Sequence, residues 1–183
     1  IFLLFRFNIN ATQFWAQIQK LVMANNIDRA IKLCNAAPNA ALPRVLKAGL
    51  MRANKGEVEI SNALSEAQLE VVPQVMKRTA ALPPIASIAT LMGLLGTITG
   101  LILAFAASKV ASQEERSTLL MQGIAVAMNT TAFGLIIAIP TLAAYLVLAG
   151  VTKKILDEID QYSTKLENLL VARAHGQLGA PQQ

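Results

Sequence analysis

The sequence holds one cysteine, one histidine and one tryptophan in 183 residues, and each scarcity removes a class of chemistry. Cys34 alone cannot close an internal disulfide, and its neighbours Ala30, Ile31 and Leu33 fit a packing role. His175 lies in a polar tail with no cysteine or carboxylate at ligand spacing, so no metal site is expected. Aromatic residues make up only 5%, and the apolar content is mostly Ala, Leu, Ile and Val, which suits closely packed helices better than an aromatic-rich β-barrel. No nucleophile stands with a base, there is no phosphate loop and no carboxylate pair for a cleft, so neither an enzyme nor a cofactor is expected. Charge is also scarce, at 15% of residues against about 25% in an ordinary soluble domain. The net charge of +5 comes from Lys and Arg scattered singly or in pairs such as Lys77-Arg78 and Lys153-Lys154, with no aromatics interleaved, which excludes a nucleic-acid footprint.

What remains is apolar: 54% of the chain, with a mean hydropathy of +0.48. No charge falls between Arg78 and Lys109, and none between Arg116 and Lys153. About 20 apolar residues cross a bilayer as a helix. The run from Ser117 to Thr152 would reach about 54 Å at about 1.5 Å per residue, so this helix should project beyond a hydrocarbon core of about 30 Å. The link between the runs, SKVASQEERS, is long enough only for a turn between antiparallel helices. Lys77, Arg78, Lys153 and Lys154 flank the resulting hairpin, whereas the link balances Lys109 and Arg116 against Glu114 and Glu115. Positive charge marks the cytoplasmic side, so both ends of the hairpin are expected there and the link outside.

The whole chain divides accordingly. Residues 1–7, IFLLFRF, are too short to span and lack the basic region and cleavage site of a signal peptide; they are read as the inner end of an earlier transmembrane helix. A cytoplasmic helical region over 8–81 follows, then a transmembrane helix over 82–107, a periplasmic turn over 108–118, and a second transmembrane helix over 119–151. A cytoplasmic amphipathic helix over 152–174 and a disordered tail over 175–183 complete the chain. In the cytoplasmic region Phe14, Ile18, Leu21 and Val22 share a helical stripe, IDRAIKLCNAA forms a short helix closed before Pro38, a third helix begins at Pro43, and Pro73 kinks a fourth. After the hairpin, Val151, Ile155, Ile159, Tyr162, Leu166 and Leu169 recur at spacings of three and four, a stripe able to pack on the chain's own helices or on a neighbouring copy. No period-2 pattern appears. The fold class is all-α: an integral membrane helical protein whose long transmembrane hairpin extends into a cytoplasmic helical bundle.

The spans are not plain anchors. The first carries Ser87, Thr90, Thr97 and Thr99, with Thr90 and Thr97 seven apart and so near one face. The second carries the cluster Asn129, Thr130 and Thr131, which suggests a moderately polar path between helices. Gly93, Gly96 and Gly100 in the first span, and Gly123 and Gly134 in the second, form small faces for close helix packing. Pro140 removes a backbone donor inside a helical run and invites a hinge or a static kink. Neither span contains Asp, Glu, Lys, Arg or His. An ion-coupled machine generally needs a titratable group in the membrane, so such a group would have to come from another helix or from a partner.

LMGLLGTITGLILAF (Leu91 to Phe105) followed by GIAVAMNTTAFGLIIAIP (Gly123 to Pro140) resembles the two signature spans of the MotA/TolQ/ExbB proton channel family, closest to ExbB and TolQ. AIKLC (Ala30 to Cys34) and LPRVLKAGL (Leu42 to Leu50) look like the cytoplasmic part of ExbB-like chains. The resemblance implies a pentamer of three-span subunits in the bacterial inner membrane. It further implies a dimer of a single-span, Asp-bearing partner of the ExbD/TolR/MotB type. In the family a Thr of the G-T motif and a Thr of the A-T-A-x-G-L motif face that Asp, and these positions match Thr97 and Thr131. Proton flow, or sodium flow, would then drive rotation of one ring against the other. One departure stands out: where the family commonly has Glu in G-I-x-E-A-L, this chain has Val126, so any role of that carboxylate is absent or relocated. Two other classes remain open at this point, a pore-forming-toxin-like hairpin that is soluble until it meets a membrane, and a passive membrane scaffold without ion flow.

Overall fold

The computed structural model describes residues 10–77, 79–110 and 112–176, and these contain helices and no strand. They are α1 (Ala11–Met23), α2 (Ile27–Ala36), α3 (Ala41–Met51), α4 (Glu57–Met76), α5 (Leu82–Val110) and α6 (Gln113–Ala174). The proposed stub over 1–7 and most of the proposed tail lie outside the described residues. The chain forms two compact units, one built from α1–α4 with the last part of α6, the other from residues Ala80–Val147.

Local sequence explains where the helices of the first unit begin and end. Asn10 caps α1, its side chain accepting from the Gln13 amide at 3.4 Å. The helix stops because Asn25 takes φ 60°, a left-handed conformation that Asn tolerates. That turn lets the Asn26 amide donate to the Leu21 carbonyl and the Asn25 amide to Val22, closing the orphan carbonyls. The third helix begins at Ala41, two residues before the predicted Pro43. Proline is accommodated there because the first amides of a helix have no intrahelical acceptor. Gly56, at φ 106°, makes the turn into α4, whose first turn carries Glu57 and Glu59 at the positive end of the helix dipole. α4 continues through Pro73 to Met76.

Burial organises this unit around the last part of α6. Ile155, Ile159, Tyr162, Leu166 and Leu170 are buried with Ile18 and Val22 of α1, Cys34 of α2, Leu46 and Leu50 of α3, and Ile60, Leu64 and Val71 of α4. The apolar stripe therefore packs on the chain's own helices. Tyr162 stacks its ring 5.5 Å from that of Trp15 and donates its hydroxyl to Thr12 at 3.3 Å. Burial pushes the Cys34 thiol up to about 12, Lys47 offsetting part of the rise, so this thiol packs rather than reacts. The Glu158 carboxyl is also raised, because its desolvation outweighs Lys154 at 3.8 Å. Truncating Leu166, which is fully buried beside Gly49, is expected to destabilise the protein by about 2–5 kcal/mol in detergent-phase thermal unfolding, with a smaller loss at the partly buried Leu169. An unchanged midpoint for Leu166→Ala would exclude this core assignment.

The second unit is packed the other way round. Its buried residues are Ala86, Gly93, Ala104, Ala127, Gly134 and Ala138, whereas Met92, Leu103, Phe133 and Leu146 are all more than half exposed. Only 11% of each apolar window of α5 and α6 is buried. Small residues inside and large ones outside is the pattern of helices in lipid, where association rests on close packing rather than on hiding apolar surface. This is an all-α membrane protein.

The connection between α5 and α6 is shorter than the predicted turn over 108–118, most of which is helical. The cause is a capping box: the Glu115 carboxylate accepts from the Ser112 hydroxyl at 2.7 Å and from the Ser112 amide at 3.3 Å. These bonds hold the Glu115 carboxyl below its ordinary range and start α6 immediately after the link.

Candidate functional site: a hydroxyl pair on the edge of a glycine–alanine seam

The seam between α5 and α6 fixes which side chains can meet. A Cβ placed on Gly134 would lie 2.8 Å from the Ala89 carbonyl oxygen and 3.1 Å from the Gly93 Cα, and one on Gly93 would lie 3.2 Å from the Thr131 Cα. One on Gly96 would meet the Thr130 hydroxyl at 2.6 Å, one on Gly100 the Ala127 methyl at 3.0 Å, and one on Gly123 would overlap Ala104. Steps forward along α5 are thus matched by steps back along α6, and the helices are antiparallel with backbones in near contact. The alanines of this seam, Ala86, Ala104, Ala127 and Ala138, were not singled out from the sequence, although their spacings of four and seven from the glycines carried the signal.

This register sorts the polar residues. At about 100° per residue, Thr97 and Thr131 fall on one edge of the seam at one height, both half-buried, and Thr90 lies on the same edge two turns away. The Thr131 hydroxyl donates to the Gly93 carbonyl at 3.3 Å, reaching across the pair. The Thr97 hydroxyl donates to the Leu94 carbonyl at 2.6 Å, and that of Thr90 to Ala86 at 3.1 Å. A hydroxyl has one donor and two acceptor lone pairs, so Thr97 and Thr131 keep only acceptors free.

The expected polar cluster Asn129, Thr130 and Thr131 is divided. Consecutive helical residues point in different directions and cannot share an edge. Thr130 sits on the opposite edge, filling the notch at Gly96 and donating to the Ala127 carbonyl at 2.7 Å. Asn129 is exposed on the side of α6 away from the seam. Val126 is 59% exposed, so the position where the resemblance implied a Glu lies on the outer surface of the pair. Pro140 sits inside α6 without interrupting it, and Thr141 beside it donates to the Ile137 carbonyl at 2.7 Å. Among the described residues no group of His, Cys, Asp or Glu has the arrangement of a metal site.

The profile of the MotA/TolQ/ExbB proton channel family matches residues 37–161, which include all of α5 and the seam. A biopolymer transport protein ExbB of Aquifex aeolicus (strain VF5) is 36% identical over 103 residues, covering 54% of this chain. The chain spans 66% of that relative's length, just under two thirds. No solved structure matches significantly. With the matched stretch covering well over half of its residues, the chain belongs to the MotA/TolQ/ExbB proton channel family.

Proposed function

We propose that the chain is a stator-type subunit of an ion-driven motor, a multi-pass protein of the bacterial inner membrane. It does not act as an enzyme. It assembles as a homo-oligomer of five copies around a dimer of a single-span, Asp-bearing protein of the ExbD/TolR/MotB kind. The ion is the proton; sodium is the alternative, given Val126 in place of a carboxylate.

The observation that carries this reading is the paired hydroxyl edge at Thr97 and Thr131. Both hydroxyls donate to backbone carbonyls, so they present acceptors outward. A protonated carboxylic acid can donate to that edge as it stands, whereas a carboxylate must first turn a hydroxyl away from its backbone carbonyl. Proton arrival on a partner Asp would therefore strengthen its engagement with this edge, and proton loss would release it. Such a difference between the two protonation states is what converts ion passage into stepping. Gly93, Gly96, Gly100 and Gly134 hold the two helices close enough to keep the edge in register, and Pro140 is read as the hinge.

The test is the native mass of the protein in mild detergent after co-expression with a single-span, Asp-bearing protein of the ExbD/TolR/MotB kind. Five copies with two of the partner are expected. A monomer that stays soluble without detergent would overturn the motor reading in favour of a toxin-like hairpin.

A further inference from the structure

The first unit carries its charge unevenly. Between α1 and α2 lies a groove of about 580 Å³, with Leu21, Leu33 and Ala36 as its apolar lining and Lys20, Arg29 and Lys32 around it. No carboxylate lines the groove, and none of the three cations has an ion-pair partner among the described residues. α4 has the opposite character, with Glu57, Glu59, Glu66 and Glu70 and no Lys or Arg. On its outward face Val58 and Leu69 are 72% and 77% exposed, and at helical spacing Glu59, Glu66 and Glu70 form a row alongside them. Glu66 has no ion-pair partner among the described residues, while Glu59 meets the exposed Arg52 at 3.5 Å and Glu70 the half-buried Arg44 at 2.7 Å.

The two surfaces lie at opposite ends of a series of neighbours. α1 packs on α2, α2 on α3 and α3 on α4. A cationic groove with an apolar floor at one end and an acidic row flanking exposed apolar side chains at the other are complementary in sign and in polarity. They cannot satisfy one another within one copy while they sit at the two ends of the series. Between copies they can, and a contact joining unlike surfaces propagates head to tail, which closes into a ring when the rotation permits.

We propose that the α1–α2 groove of one copy receives the α4 face of the next, with Leu69 seated over Leu33 and Ala36, and Glu59 and Glu66 against Lys20, Arg29 and Lys32. This rests on the homo-oligomer in the reading above and names the surfaces that join its first units. A bilayer is the other anionic surface such cations could meet, but a sheet of headgroups leaves the acidic α4 face with its exposed Val58 and Leu69 unexplained.

The experiment uses the whole chain in native membranes with Cys34→Ala, Ala36→Cys and Leu69→Cys, treated with a short bis-maleimide. A ladder of cross-linked multimers is expected from the double-cysteine chain and from neither single-cysteine chain. Adding Lys20→Glu and Lys32→Glu should cut the cross-linked fraction about tenfold, because like charges then face each other. Adding Glu59→Lys and Glu66→Lys as well should restore it. A multimeric native mass with no ladder overturns this interface and leaves the oligomer standing. Equal cross-linking through Leu69→Cys alone overturns it in favour of two α4 faces meeting. Loss of co-purifying phosphatidylglycerol on reversal of Lys20 and Lys32, with the cross-linked fraction unchanged, overturns it in favour of a lipid surface. A monomeric native mass removes the oligomer itself.

Discussion

Replacing Thr97 or Thr131 by valine is expected to cut ion-driven output about tenfold while leaving the amount of folded protein unchanged. Valine keeps the volume and shape of threonine and removes only the oxygen. An acid proton left without an acceptor in a low-dielectric site costs about 1–3 kcal/mol. Since about 1.4 kcal/mol is a factor of ten, the loss should fall between about fivefold and about a hundredfold. The structural cost is smaller. Thr97 loses only a bond to its own helix, at Leu94. Thr131 loses one bond to Gly93 across the seam, and such bonds between membrane helices average about 0.6 kcal/mol. Serine at either position keeps donor and acceptor and should retain most of the output. The readout is proton entry into vesicles holding the chain with the proposed Asp-bearing partner, beside a thermal unfolding midpoint for each variant. Full proton entry with both valines in place would remove the hydroxyl edge from the mechanism and leave a scaffold.

Gly134→Val should break the hairpin, and the contrast with Gly150 shows why. Glycine inside a helix costs about 1 kcal/mol relative to alanine, so a substitution with free space gains stability. A methyl group placed on Gly150 would have nothing within 4 Å, and Gly150→Ala should raise the unfolding midpoint. At Gly134 the same methyl meets the Ala89 carbonyl oxygen at 2.8 Å and the Gly93 Cα at 3.1 Å. Those are backbone atoms of a helix, with no rotamer to change, so α5 and α6 must move apart. Even Gly134→Ala should then be a net loss, and Val a larger one, of about 1–3 kcal/mol or more. The separation would also break the Thr131–Gly93 bond and misplace the edge. Equal midpoints for the Gly134 and Gly150 alanine variants would contradict the close approach at the seam.

Much of this was legible in the sequence because the signals were long and one-dimensional. Two charge-free runs locate α5 and α6, and the stripe from Ile155 to Leu169 locates the face that α6 buries. The glycines named the seam, since only a missing side chain permits backbone contact. The polar residues were harder to place. Asn129, Thr130 and Thr131 are adjacent in sequence and looked like one cluster, yet the helical turn sends them to three directions. Which of two neighbouring threonines faces which edge depends on the partner helix and its register, and composition holds no trace of that. The early start of α6 was missed for a similar reason. SKVASQEERS reads as polar and loop-like, while Ser112 and Glu115 within it form the cap that starts the helix.

The Thr79 and Thr152 hydroxyls meet at 3.1 Å in a buried hydrogen bond. One precedes the first apolar helix and the other follows the last apolar stretch, so the chain leaves the first unit and returns to it through adjoining points. The residues between them are a closed excursion with a fixed footprint. That makes residues 80–147 a cassette, and a hairpin from a relative could be grafted there provided that its two feet match the same spacing. It also lets the two units change at different rates, each keeping the same doorway.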